Sequence, residues 1–300
     1  MKQLLVFLAG ISIALGFSTT AFAEIRLKDA MGRDVVLAKP AQRIVSLAPH
    51  ITEIVFAAGA GEQLVGAVSY SDYPDAAKQI ARVGSYNSVS YESIVALNPD
   101  LVIVWQSGNG EEVVQRLASL GLNLYVTQPD KLEDVALSLR HIGILSGNVK
   151  QGDSAADKFR ARLTELKNTY SQQSTVEVYY QLWNEPMMTM NGEHLISDVI
   201  RLCGGHNVFA DALPLVPRIS VESVVRANPQ VIIASGMDQA RPEWLDDWRD
   251  WTSIDAVHNE QLYFIPPELL QRHTPRIIQG AEQMCTFLAQ ARDQREQQNK

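Results

Sequence analysis

Two stretches of this chain, beginning 130 residues apart, follow one pattern. From Ser90 the sequence reads SYESIVALNPDLVIVW, and from Ser220 it reads SVESVVRANPQVIIAS. Ser90/Ser220, Glu92/Glu222, Ser93/Ser223, Val95/Val225, Asn98/Asn228, Pro99/Pro229 and Ile103/Ile233 match. Each copy reads as a Ser N-cap, a short helix with Glu in its first turn, an Asn-Pro break and an apolar strand. Solenoid repeats recur every 20 to 50 residues or so. A far longer period points to two similar lobes, and a cleft between lobes is a natural place for a small ligand. The pattern also sets one carboxylate, Glu92 or Glu222, at an equivalent point of each lobe. Either alone answers a helix dipole, worth about 0.3–1 kcal/mol. A matched pair also suits one partner that touches both lobes.

Residues 1–23 have the form of a secretory signal. Lys2 supplies a positive start, Leu4 to Phe17 are largely apolar, and Ala21-Phe22-Ala23 is a small-x-small cleavage site. The apolar run falls short of the roughly 20 residues of a membrane span. Glu24 is the expected mature N-terminus, and a bacterial periplasm the expected compartment. The formal charge is −8. An acidic chain without runs of Lys or Arg argues against nucleic acid or an anionic membrane as partner. Cys203 and Cys285 are the only cysteines. In an oxidising compartment they are expected to form a disulfide that pins the last helix to the second lobe.

Strand and helix patterns alternate, which implies an α/β fold with mostly parallel sheet. Strands are expected at RIVSLA, LVGAVS, LVIVW, LNLYVT, VEVYYQLW and VIIAS, after an N-terminal ribbon turning at Met31-Gly32. Helices are expected at TEIVFAAGAG, EEVVQRLASLG and LEDVALSLRHIGILSG. From Asn148 onward the pattern changes to one long charged helix. Its apolar stripe is Ala156, Phe159, Leu163, Leu166 and Tyr170. This divides the chain into an N-terminal lobe (24–147), a connecting helix (148–172) and a C-terminal lobe (173–300). Trp244, Trp248 and Trp251 stand at i, i+4, i+7, one face of a helix packed on its lobe. No GxSxG, HExxH, CxxC or P-loop motif occurs, so no residue set marks a catalytic centre.

RIVSLAPHITEIVFAAGAG, VGSYNSVSYESIVALNPDLVI, LCGGHNVF and PRIIQGAEQMC together resemble the cluster A-III substrate-binding proteins of ABC importers. These have two Rossmann-like lobes joined by a single long backbone helix. VSYSDYP, the Cys pair and LASLGLNLYV resemble the vitamin B12-binding branch. The resemblance implies a monomeric carrier without catalytic activity or resident cofactor, with a corrinoid such as cobalamin as transported ligand. It implies that Glu92 and Glu222 meet arginines of the importer permease. It implies cleft-lining roles for Tyr86 and Trp105, and by extension for Tyr70 and Tyr73; Trp183, in QLWNEP after a second-lobe strand, is expected to form a wall on the other side. Flat aromatics suit a broad, largely apolar corrin ring. Val216 and Gln271 stand where that branch carries a Trp and an acidic residue, so the wall that includes Gln271 and Arg272 differs. A haem or ferric-siderophore binder is therefore the alternative cargo class, and a chelatase-like enzyme the alternative of another kind. His50 follows a strand and can approach a metal-centred ligand. His273, in QRHTPR, reads as a polar loop residue.

Overall fold

The computed structural model describes residues 24–236 and 240–298. The predicted signal segment, residues 1–23, lies outside them. Two parallel sheets form the scaffold. The first has five strands in the order Ala81–Arg82, Leu64–Ala67, Ile44–Ser46, Leu101–Trp105 and Leu124–Thr127. The second has four, in the order Gly205–Asn207, Val176–Gln181, Val231–Ala234 and Leu262–Phe264. The predicted ribbon is an antiparallel hairpin, Ile25–Lys28 with Asp34–Leu37. Its turn holds Gly32 at φ +74°, where a Cβ is disfavoured.

The two copies of the repeat fold alike. Ser90 Oγ accepts from the Ser93 amide and begins helix Tyr91–Ala96. Ser220 Oγ accepts from the Ser223 amide and begins helix Val221–Ala227. Asn98 and Asn228 then turn the chain with φ of 44° and 45°, a left-handed conformation that Asn tolerates well. Each turn feeds a central strand, Leu101–Trp105 or Val231–Ala234. Glu92 and Glu222 both stand exposed in the first helical turn.

One helix, Val149–Tyr170, lies between the two sheets in sequence. At 22 residues it spans roughly 33 Å. Ala156, Phe159 and Leu166 are buried, with Leu163 and Tyr170 packed beside them, as the periodicity predicts. Close approach to helix Leu132–Ser146 depends on a pair of glycines. A Cβ on Gly152 would stand 2.7 Å from the Leu139 carbonyl oxygen and 2.9 Å from Gly143 Cα. At its other end the helix meets the last helix, Ile277–Gln298, where Arg162 pairs with Glu282 at 2.6 Å. None of the helices among the described residues is long and apolar enough to cross a membrane.

The tryptophan segment departs from the expected geometry. Glu243–Asp250 is a 3₁₀ helix, so three residues make a turn and Leu245 and Trp248 share the buried side. Trp248 donates to Gln181 Oε1 at 2.6 Å and packs edge-on to Tyr179. Trp251 falls past the helix end and is exposed. Strands Gly205–Asn207 and Leu262–Phe264 have only three residues each and carry no periodic signature of their own.

Cys203 and Cys285 are bonded, as predicted, and tie helix Leu195–Leu202 to the last helix. The bridge closes a loop of 82 residues, which confines the unfolded chain by about 4 kcal/mol on a chain-entropy estimate. Reduction should therefore lower the melting temperature by roughly 10 °C. Differential scanning calorimetry with and without dithiothreitol reads this; an unchanged melting temperature contradicts it.

Candidate functional site: an aromatic and charged seam between the lobes

The seam forms at the carboxyl ends of the strands, where open α/β sheets commonly place their ligands. On the first lobe, strand Ile44–Ser46 passes through Leu47 and Ala48 into helix Pro49–Ala57, whose second residue is His50. Strand Leu101–Trp105 ends on the candidate Trp105. The short hairpin Gly84–Ser85/Ser88–Val89 carries Tyr86 at its turn. One buried side chain holds these three segments together. Asn109 Oδ1 accepts from the Trp105 amide at 2.7 Å, while Nδ2 donates to the Leu47 and Tyr86 carbonyls at 2.9 and 2.6 Å. The indole of Trp105 lies over Gly108, where a Cβ would come within 1.9 Å of the ring.

The first lobe also contributes the loop through Tyr70 and Tyr73. A chain of hydroxyls anchors it: Ser46 Oγ to Thr52 Oγ1 at 2.6 Å, then Thr52 Oγ1 to Ser71 Oγ at 3.0 Å. Tyr70 has φ +63° and is 75% exposed. A bulky residue held in the left-handed region, with its ring in solvent, is a conformation that costs free energy and clusters at functional sites.

The second lobe faces this wall with Gln271–Arg276. Glu53 of the first lobe is almost completely buried and accepts from two arginines of the second. Arg272 Nη1 reaches it at 2.9 Å, and Arg276 reaches it through Nε at 2.8 Å and Nη2 at 2.7 Å. Arg272 also binds Asp72 at 2.8 Å and donates to the Tyr70 carbonyl at 3.3 Å. Burial pushes the Asp72 carboxyl upward, but the hydrogen bond and charge of Arg272 outweigh it and hold the pKa below the usual value. The guanidinium of Arg276 sits 3.9 Å from the centre of the Tyr73 ring, a cation–π contact.

Next to the ion network lies a row of rings. Trp105 meets His50 at 5.0 Å between centroids, His50 meets His273 at 5.6 Å, and His273 meets His194 at 6.1 Å. Tyr86 joins through Trp105 at 6.2 Å. His50 is only 4% exposed, and its Nε2 has no hydrogen-bond partner; the indole nitrogen of Trp105 is likewise buried and unpartnered. His273 lies in a loop, as read from the sequence, and its ring takes a place in this row.

The structure thus brings His50, Tyr86 and Trp105 together, and gathers Tyr70, Tyr73 and Arg272 around the ion network. It uses the other two candidates differently. Gln271 Nε2 donates to the Ser235 and Gly236 carbonyls at 2.9 and 3.0 Å, bracing the end of strand Val231–Ala234. Trp183 donates to the Glu185 carbonyl at 2.9 Å within its own loop, and makes no ring contact with the aromatic row among the described residues. Sequence reasoning missed Glu53, Asn109, His194 and Arg276. Glu53 alone left a local trace, a carboxylate inside the apolar run ITEIVFAAG.

The three imidazoles have a shared consequence for stability. Burial lowers the pKa of His194 to about 4, reinforced by His273. Burial lowers His273 to about 4 as well, against the pull of Asp130 and Asp134. His50 is held well below 6.5 by burial, then by His273 and Arg272. In the unfolded chain each takes up a proton near pH 6.5, so acid favours unfolding. The neutral row therefore stabilises fully above about pH 6.5, and that stability falls as the pH drops toward 4. Melting temperature should decline across this window, and His273→Gln should flatten the decline. An equal slope in parent and variant contradicts the assignment.

The periplasmic binding protein family model matches residues 44–269. A vitamin B12-binding protein of Vibrio cholerae serotype O1 is 39% identical over 262 residues, covering 86% of this chain and 94% of the relative. One from Yersinia pestis is 33% identical over 252 residues, covering 84% and 88%. The crystal structure of the periplasmic vitamin B12-binding protein of Vibrio cholerae superposes with a TM-score of 0.78 at 38% identity, covering 84% of this chain and 98% of that one. A periplasmic haem-binding protein of the same species shares the fold, with a TM-score of 0.72 at 19% identity. The two-lobed α/β fold with its one linking helix agrees with these likenesses: the chain belongs to the periplasmic binding protein family.

Proposed function

We propose that this protein captures a corrinoid of the vitamin B12 type between its lobes in the periplasm and hands it to an ABC importer. The observation that carries the reading is the likeness to vitamin B12-binding proteins at 33–39% identity over most of both chains. The chemistry of the seam supports it. Exposed Tyr70, Tyr73 and Tyr86, with Trp105 behind them, offer aromatic area for a wide ring. Arg272 and Asp72 offer a donor and an acceptor for its fringe of amides. The two lobes then move about the connecting helix by hinge motion, with Arg272 and Arg276 exchanging partners as cargo enters. The protein acts as a carrier and not as a catalyst, the corrinoid being cargo and not a resident cofactor.

Calorimetric titration of the mature protein with cyanocobalamin should show saturable binding at one site per monomer. Trp105→Ala should weaken it by about 2 kcal/mol, as for an aromatic anchor in a closed contact. Trp248→Ala, which removes a ring from the core of the second lobe, should instead lower thermal stability by about 3–5 kcal/mol. Saturable binding of haem without any of cyanocobalamin rejects the corrinoid. Equal affinity losses in both variants reject the position of the site.

Delivery rests on the repeat. Glu92 and Glu222 begin equivalent helices and are exposed, where arginines of a permease can reach them. Such charge-assisted contacts typically cost about 2–5 kcal/mol when one partner of a buried pair is removed. The double variant Glu92→Ala/Glu222→Ala should bind cyanocobalamin like the parent yet fail to be pulled down by detergent-solubilised importer. Normal capture of the double variant would reduce both glutamates to helix starts.

A further inference from the structure

The imidazoles of His50, His273 and His194 stand in one row. Among the described residues, no group of three or more His, Cys, Asp or Glu side chains is placed to hold a metal ion. A bare ion of the zinc type needs three or four such donors. A metal whose four equatorial positions are already filled by a macrocycle needs only an axial one. The corrin of the proposed cargo is such a case.

The three rings are not equivalent as donors. His194 Nδ1 accepts from the Ile196 amide at 3.1 Å. A backbone amide can only donate, so the lone pair of Nδ1 is used and the proton of the neutral ring sits on Nε2. His194 is therefore a hydrogen-bond donor toward its surroundings and not a metal ligand. His50 differs. Its Nε2 is buried and meets no donor or acceptor, which is costly for a polar atom and calls for a reason. Its ring is fixed edge-on against Trp105 of its own lobe and against His273 of the other. The hinge motion proposed above would carry His273 away and uncover the ring. Burial also favours the neutral, lone-pair-bearing form of His50.

We propose that His50 is an axial ligand donor, whose Nε2 coordinates the cobalt of an incoming corrinoid that carries an exchangeable water. The inference rests on the corrinoid reading and sharpens it to a preference among corrinoids. The step is a ligand exchange. The Nε2 lone pair forms the Co–N bond as the Co–O bond breaks, and water leaves with its own electron pair. The ring proton stays on Nδ1, and the cobalt keeps its oxidation state. Corrinoids whose axial positions are held by cyanide gain nothing from it.

The test uses the mature protein with diaquocobinamide, which has water on both faces and no tethered base. The main near-ultraviolet band should shift to the position that free imidazole produces with the same compound. His194→Asn, which keeps an N-capping side chain, should retain the shift. His50→Gln should lose it. Cyanide should convert bound diaquocobinamide in the parent protein more slowly than it converts the free compound, a readout that needs no variant to fold. Calorimetry with dicyanocobinamide separates the two levels of the reading. Binding of both corrinoids with an unshifted spectrum, equal cyanide rates, or a shift that survives His50→Gln overturns the axial ligand and leaves the carrier function standing. Absence of heat with either corrinoid removes the carrier reading and the ligand together.

Discussion

A carboxylate buried between two lobes decides how this molecule is put together. Glu53 rises from the first turns of helix Pro49–Ala57, where its side chain is 2% exposed. A charge in that position is costly unless it is paired and fully hydrogen-bonded. The chain supplies both partners from the opposite lobe, 219 and 223 residues away. Each guanidinium then has a second contact on the first lobe, Asp72 for Arg272 and the Tyr73 ring for Arg276. At this seam the lobes thus meet through polar contacts, which can exchange partners, beside the ring contacts of His273 with His50 and Trp105. An ion network that water or a ligand's amides can replace suits a cleft that must both close and release.

The rest of the seam follows from where the strands end. His50 and Trp105 leave adjacent strands of the first sheet, and Tyr86 is drawn to them by Asn109. The hydroxyl chain Ser46–Thr52–Ser71 fixes the tyrosine loop beside them. These supports are buried and short, while Tyr70, Tyr73 and Tyr86 in front of them are exposed. Rigid backing behind an accessible surface keeps the ordering cost of binding low.

Much of this was legible in the sequence where the signal is local. Ser90 and Ser220 cap helices because a hydroxyl three residues before a free amide serves that purpose in any context. The stripe Ala156–Phe159–Leu166 is buried because its spacing leaves one apolar face. Cys203 and Cys285 pair as the exported context implies. The seam was legible only in part. Trp105 and Tyr86 are visible through the resemblance of their surroundings, but the contact of His50 with His273 joins residues 223 apart and leaves no periodic trace. Trp183 shows the opposite failure: a conspicuous aromatic after a strand, whose indole proton is used by its own loop. In Glu243–Asp250 a tryptophan spacing suited to an α-helix is folded as a tighter one, so Trp251 escapes the core.

The account stands on the claim that cargo binds at this seam and couples the two lobes. Amide hydrogen exchange followed by mass spectrometry, with and without saturating cyanocobalamin, tests it most directly. Protection should rise together in three first-lobe segments (49–54, 70–74 and 105–109) and in segment 271–277 of the second. The groove of about 800 Å³ on the first lobe, lined by Tyr125, Gln128 and His141, should be unaffected. Protection confined to that groove, or to one lobe alone, would contradict the account.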